Sequence, residues 1–304
     1  MNHLLASRNR HVAELAHTLV RLAPTELTLL IEGETGTGKS FIAARAHRVG
    51  RRGRPYVVVD CGAIPPTLLA SELFGHRAGA FTDATRPHRG LFERSADGTL
   101  VLDRVDALPP EGQTMLLRTL EEHTYFPVGT TTPCRFRARV IALADAGLMG
   151  RVGTGSFRLD LYHRLAGFHG KLPALRHRPE DILPYARDVI RRGQGSRRCV
   201  ALAAEVESLL TAYPWPGNFR ELEMVLVRAR IQAAGMAIRP VDLGLPLDGW
   251  PAVAELASER RASLGEVSRL YALWILAHER GNVSRAAAVL GISRRTLIRW
   301  RQGM

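Results

Sequence analysis

The sequence is short of cysteine, of lysine and of long apolar runs, and each shortage excludes a class of protein. Its three cysteines, at 61, 134 and 199, form no C-x-x-C pair and leave an odd number, so neither a disulfide framework nor a zinc knuckle is expected. Buried reduced thiols are the simplest account. No apolar run approaches the ~18 residues of a membrane span, and the N-terminus lacks the h-region of a signal peptide. No membrane partner is expected, and the cytoplasm is the expected compartment. Among 42 basic residues only Lys39 and Lys171 are lysines. A lysine kept at 39 in a chain that otherwise uses arginine hints at a site that needs one.

What is present is ordinary globular material with an unusual charge. The 304 residues suggest about two folding units at ~150 residues each. Hydrophobic residues at 46% and charged residues at 23% argue against a disordered or fibrous chain. The net charge of +13 favours a polyanionic partner. Between Val283 and Met304 stand Arg285, Arg294, Arg295, Arg299 and Arg301 with no acid, which concentrates positive charge at the C-terminal end.

Apolar periodicity organises the rest. Val12, Leu15, Ala16, Leu19 and Leu22 recur at helical spacing, and Pro24 ends the run. Leu27 to Ile31, Tyr56 to Val59, Thr99 to Leu102 and Val140 to Leu143 are short apolar runs, the pattern of strands buried on both faces. Helical stretches such as Met115, Leu116, Leu117 and Leu120 alternate with them, predicting an α/β fold with a parallel sheet. After about residue 170 the pattern turns helical. Pro214-Trp215-Pro216-Gly217-Asn218 reads as a turn, with Asn218 capping the next helix. Glycine and proline between 235 and 257 suggest a linker, and a final helical unit runs from Ser258.

The chemistry begins at Gly33-Glu34-Thr35-Gly36-Thr37-Gly38-Lys39-Ser40. This is G-x-x-x-x-G-K-[ST] between a predicted strand and a predicted helix, the setting in which the motif binds nucleotide phosphates. Glycines let backbone N–H groups turn onto phosphate oxygens, Lys39 reaches the β and γ phosphates, and Ser40 can ligate Mg²⁺. Leu100-Val101-Leu102-Asp103 supplies the strand-end carboxylate that holds Mg²⁺ directly or through water.

With these residues in place the sequence resembles the bacterial enhancer-binding proteins, the AAA+ activators of sigma-54 RNA polymerase. Ser71 to His76 followed by Gly79-Ala80-Phe81-Thr82-Asp83-Ala84 is similar to that family's SELFGH segment and its sigma-contacting GAFTGA loop. Phe157 to Leu165 resembles its arginine-finger segment, and Trp215 to Leu222 its sensor II helix. The resemblance implies an AAA+ αβα sandwich over 1–169 with a sigma-contacting loop near 75–86. A helical lid at 170–236, a linker at 237–257 and a Fis-type helix-turn-helix domain at 258–304 would follow. It also implies ATP with Mg²⁺ at subunit interfaces of a ring, commonly a hexamer. Arg158 and Arg164 would reach a neighbour's γ-phosphate, Arg220 would sense the same phosphate from the lid, and Phe81 and Thr82 would touch the sigma factor. With Lys39 so near the N-terminus, no receiver, GAF or PAS-like region is expected before the core.

Four departures from the family pattern cluster around the chemistry. The glutamate that should follow Asp103 and orient the attacking water is Arg104, which cannot accept a proton. The asparagine expected at the end of the second strand is Asp60, so an Asp60–Arg104 ion pair would replace the usual contact. The sensor I pair Thr-Asn reads Ala144-Asp145, and Asp83 stands where glycine is usual. Two carboxylates are candidates to take over the water, Asp60 and Asp106, the latter on the same face as Arg104 if the strand continues. Two readings follow. One is an activator that binds enhancer DNA and remodels the sigma-54 polymerase with ATP. The other is a hydrolysis-deficient subunit that works with an active paralogue in a mixed ring, or as an antagonist.

At the C-terminal end, Asn282 to Leu297 reads as helix-turn-helix. Alanines let two helices cross closely, Gly291 makes the turn, Ser293 caps the second helix, and Leu290, Ile292 and Leu297 fill a small core. Arg294, Arg295, Thr296 and Arg299 are the candidate DNA contacts, Arg295 and Arg299 sharing a face four residues apart. The stretch resembles the Fis-type domain that ends many enhancer-binding proteins.

Overall fold

The computed structural model describes residues 7–192, 201–234, 236–245, 263–279 and 281–302, and divides the chain into two compact units. The first is an α/β unit of Arg10–Pro173. In chain order it contains α1 (Arg10–Leu22), β1 (Leu29–Glu32), α2 (Lys39–Gly50), β2 (Tyr56–Asp60), α3 (Pro66–Phe74), α4 (Leu91–Ser95) and β3 (Thr99–Asp103). These are followed by α5 (Pro110–Glu122), β4 (Thr124–Tyr125), β5 (Cys134–Arg135), β6 (Arg139–Ala144), α6 (Leu148–Gly153), α7 (Leu159–Leu165) and β7 (Phe168–Lys171). Five parallel strands lie in the order β2-β3-β6-β1-β7, and β4 and β5 form a separate antiparallel pair. Sequence patterning finds four of the five sheet strands. It misses β7, whose Phe-His-Gly-Lys text has no apolar run, and the two-residue strands β4 and β5.

The central strands explain why the sheet reads so plainly. All of β1 and β6 and the first four residues of β3 are buried, as strands covered on both faces must be. Their side chains join Leu69, Leu73, Phe92, Leu116, Phe157 and Leu161 in one core. Arg139 opens β6 only 2% exposed, and its guanidinium donates to the carbonyls of Leu22, the last residue of α1, and of Ala23 and Leu27 in the turn that follows. Burial pushes its pKa down to about 10, which leaves it charged at neutral pH.

Cys61 follows β2 and is 2% exposed. Burial, with help from Asp60, Asp103 and Asp106, pushes its thiol up to about 12, so almost no thiolate exists at neutral pH. In a native thiol titration a Cys61→Ala variant should therefore match the parent, and should lose one reactive thiol only once denaturant is added. A difference between the two under native conditions would contradict this placement.

The second unit contains residues 7–9 and the chain from Ala174 onward. Its helices are α8 (Ile182–Arg192), α9 (Ala204–Ala212), α10 (Asn218–Gln232) and α11 (Pro240–Leu243), then α12 (Leu264–His278), α13 (Val283–Leu290) and α14 (Arg294–Gln302). Trp215 is completely buried before α10 and donates through Nε1 to Leu210 O at 2.7 Å. Asn218 does not cap α10 as its position suggests. It adopts a left-handed φ of 53°, is itself buried, and its Oδ1 accepts from Leu175 N at 2.7 Å. The N-terminal contact comes instead from Glu221, whose carboxylate accepts from Gly217 N at 2.8 Å. Where composition suggests a linker, Ile238 and Leu243 are buried and α11 forms. Residues 246–257 of that expected linker lie outside the described residues.

Candidate nucleotide site and DNA-binding helices

Strand β1 ends at Glu32 and α2 begins at Lys39, so the motif glycines bridge the carboxyl end of a central strand and a helix N-terminus. Gly36 and Gly38 have φ values of 81° and 106°, which side chains other than glycine rarely adopt. A Cβ at Gly33 would lie 2.8 Å from Leu172 O. Thr37 Oγ1 braces the loop by donating to Glu34 O at 2.7 Å. Lys39 is nearly buried, and its ammonium donates to Gly33 O, to Glu34 O at 3.3 Å and to Asp145 Oδ1 at 3.0 Å. Ser40 is exposed on the first turn of α2. Left-handed glycines, a helix N-terminus and a lysine turned into the loop form a cradle that fits a polyphosphate.

Beside this loop, Asp103 ends β3 directly opposite Asp60 at the end of β2. Asp103 Oδ1 accepts from Arg104 N at 3.0 Å. Arg104 takes a left-handed φ of 53° and sends its guanidinium across to Asp60, Nε to Oδ1 at 2.7 Å and a terminal nitrogen to Oδ2 at 2.6 Å. These hydrogen bonds to Asp60, and its negative charge, raise the Arg104 pKa still further, so the group after Asp103 is a permanent cation. Gly62 completes the arrangement. Its N–H donates to Asp60 Oδ1 at 3.1 Å, and a Cβ there would come within 2.9 Å of the Arg104 guanidinium carbon.

The left-handed turn at Arg104 also ends the strand, and this corrects one expectation. Val105–Ala107 is a short 3-10 helix, so Asp106 does not share a strand face with Arg104. Asp106 is buried, accepts from Asp145 N at 3.3 Å, and lies 3.3 Å from an Arg151 guanidinium nitrogen. Arg151 also donates to Asp106 O at 3.0 Å. Asp106 is a structural brace for the turn that follows β6.

The two candidate arginine fingers stand at the start and near the end of α7. Arg158 precedes it and makes two hydrogen bonds to Asp160, at 3.0 and 2.7 Å, which hold that carboxyl below its usual range. Gln113 Oε1 fixes the Arg158 backbone by accepting its N–H at 2.9 Å. Arg164 donates through Nε to Leu120 O at 3.0 Å, at the end of α5. Between them, Tyr162 Oη lies 3.3 Å from His169 Nδ1, and His169 Nε2 lies 2.8 Å from the buried Glu32 carboxylate. Sequence reasoning misses this link, although a carboxylate closing an apolar strand was its signal. Arg220 belongs to the second unit and is exposed on the first turn of α10.

The loop after α3 is compact and ordered by its own hydrogen bonds. His76 and His88 pair through their backbones at 3.0 and 2.9 Å, while Ser71 Oγ and Arg86 O engage the two His76 ring nitrogens. Ala84 N donates to Phe81 O at 2.9 Å, which closes a turn around Thr82 and Asp83. Phe81 is 43% exposed and stands edge-on to His76 with ring centroids 4.8 Å apart. Asp83 is exposed, and its φ is not positive, so the backbone here accepts a side chain where the family resemblance expects glycine.

At the C-terminal end α12, α13 and α14 share a core of Ala272, Ile275, Leu276, Ala286, Ala287 and Leu297, with Leu290, Ile292 and Trp300 packed against it. Asn282 Oδ1 caps α13 by accepting from Ser284 N and Arg285 N, each at 3.1 Å. Gly291 makes the turn at φ 64°, and Ser293 Oγ accepts from Thr296 N at 3.0 Å. Thr296 Oγ1 is 2.9 Å from that same hydroxyl. Arg294, Arg295 and Arg299 are all exposed.

The model of the sigma-54 interaction domain matches residues 5–169. The chain belongs to the sigma-54 activator family. The AAA+ ATPase lid domain matches residues 176–251, and the Fis family of bacterial regulatory proteins matches 275–301. Its relatives include the regulatory protein AtoC of Escherichia coli, 37% identical over 94% of this chain and 64% of AtoC. The transcriptional regulator NtrC of Rhizobium meliloti is 36% identical over 96% of this chain and 68% of NtrC. Among solved structures, NtrX of Brucella abortus in complex with ADP superposes with a TM-score of 0.72 at 28% identity, covering 96% of this chain and 68% of NtrX. The chain thus spans about two thirds of the length of these relatives. Among the described residues no helix is long and apolar enough to cross a membrane.

Proposed function

We propose that this sigma-54 activator family member is a DNA-bound transcription regulator that binds Mg-ATP in the Gly33–Ser40 loop and acts on sigma-54 RNA polymerase. The observation that carries this reading is the Phe81–Ala84 turn, which holds an aromatic ring and a hydroxyl in solvent in the same unit as a phosphate cradle. Lys39 would bind the β and γ phosphates, and Ser40 and Asp103 would hold Mg²⁺. Phe81 and Thr82 are the sigma-factor contacts. Arg158 and Arg164 act across a subunit interface of a homo-oligomeric ring, a hexamer in the simplest case, and Arg220 senses nucleotide from the lid. Arg294, Arg295, Thr296 and Arg299 meet enhancer DNA, and the protein works in the cytoplasm.

The test is formation of heparin-resistant open complexes by sigma-54 holoenzyme on a promoter bearing an upstream site that the protein binds. Wild-type protein with ATP is expected to produce them, and Thr82→Ala is expected to lower the yield at least about tenfold while DNA binding persists. DNA binding and ATP binding without any open complexes from wild-type protein would defeat the activator reading.

A further inference from the structure

The Arg104–Asp60 pair leaves the nucleotide site without its usual base, and the geometry decides which other carboxylate can serve. Asp60 has both oxygens on the Arg104 guanidinium and also accepts from Gly62 N. Asp106 is buried and occupied by Arg151 and by Asp145 N. Asp103 accepts from Arg104 N and is the expected Mg²⁺ ligand. Asp145 differs from all three. Its Oδ1 touches the Lys39 ammonium at 3.0 Å, its side chain is 45% exposed, and no hydrogen bond or ion pair among the described residues engages Oδ2. Because Lys39 is the group that reaches the β and γ phosphates, a partly exposed carboxylate seated on it stands beside the reacting phosphate with its second oxygen unengaged among the described residues. Asp106 and the carboxyl end of β6 fix the backbone at this place, so the side chain is aimed by a braced turn. Arg104 feels the same charge, and its cation offsets that of a second acid near the phosphates.

We infer that Asp145 is the general base that orients and deprotonates the attacking water in this chain, an inference that rests on the ATP-binding reading above. In the step it serves, water oxygen bonds to the γ-phosphorus and the bond to the β-phosphate bridging oxygen breaks. The water proton passes to Asp145 Oδ2 and from there to solvent, and ADP and phosphate are the products. Nothing is oxidised or reduced. Asp145 takes the place of the missing glutamate from a different strand end, β6 in place of β3.

The full chain is assayed for phosphate release with Mg-ATP, and for binding of a fluorescent ATP analogue, with Lys39→Ala as background. Asp145→Asn should lower turnover by about 10²-fold or to that background, the scale of a lost general base. The analogue should still bind within about threefold of wild type. Asp145→Glu should recover part of the rate. Wild-type turnover retained in Asp145→Asn would overturn the assignment, as would analogue binding lost in that variant, which would make Asp145 a binding group. Faster turnover with tighter binding in Asp145→Asn would also overturn it, by making the Lys39 contact a brake. A wild-type chain that binds the analogue yet releases no phosphate above background overturns it as well, and leaves a nucleotide-held DNA-binding subunit. Failure of wild-type protein to bind the analogue would instead defeat the ATP-binding reading itself.

Discussion

Replacing Arg104 by glutamate and Asp60 by asparagine in one chain is expected to raise ATP turnover by about tenfold to 10²-fold, because a positioned general base is worth roughly 10²–10⁴-fold and Asp145 already supplies about 10² of it. Arg104 follows the end of β3 and its side chain reaches Asp60, at the end of neighbouring β2, through two hydrogen bonds, so the two must be exchanged together. Arg104→Glu alone would set two carboxylates at the spacing now held by an ion pair. Their repulsion would drive the new glutamate away from the site, and the gain in the single variant should be small. An asparagine at 60 removes that charge and can still donate to the glutamate. Steady-state phosphate release from the two single variants and the double variant measures this as a double-mutant cycle. Equal turnover in wild-type and double-variant protein would show that these positions do not limit the reaction.

The second large effect belongs to α14. Arg295→Ala with Arg299→Ala is expected to weaken DNA binding on the order of 10²-fold or more, each arginine contributing ~1–3 kcal/mol when it meets a base edge. Both side chains are exposed while the core beneath them is built from Leu297 and the helices α12 and α13, so the fold should survive their removal. A salt titration separates the two ways in which arginine binds. Loss of phosphate contacts flattens the dependence of log affinity on log salt by about one per contact, whereas loss of base contacts leaves the slope and relaxes sequence preference. Unchanged affinity and unchanged slope would remove α14 as the DNA-reading helix.

Most of the framework could be read before any coordinates because it rests on signals carried by contiguous residues. The buried strands are unbroken apolar runs, the phosphate loop is one eight-residue motif, and the helix-turn-helix is set by Ala286, Ala287, Gly291 and Leu297. What stayed hidden depends on partners far apart in the chain. The departure at Asp145 is visible as a letter, but its contact with Lys39 spans 106 positions. The end of β3 could not be placed because a left-handed arginine has no signature of its own, and that single dihedral turns Asp106 from a candidate base into a brace. Asn218 misled for a similar reason. A side chain of capping type stood at a helix start, yet its preferred partner was Leu175, 43 residues earlier.

The guanidinium at the root of β6 gives the N-terminal helix a mechanical meaning. Arg139 grips the carbonyls of Leu22, Ala23 and Leu27, and the strand that feeds the phosphate loop starts two residues beyond the last of these, at Leu29. One side chain therefore works as a rivet through the end of α1, the connecting turn and the sheet. Cutting α1 away would remove the Leu22 carbonyl and uncover the guanidinium, leaving Ala23 and Leu27 alone to hold the approach to β1. A helix that looks like an appendage to the nucleotide fold is the fastening against which its central strand is held.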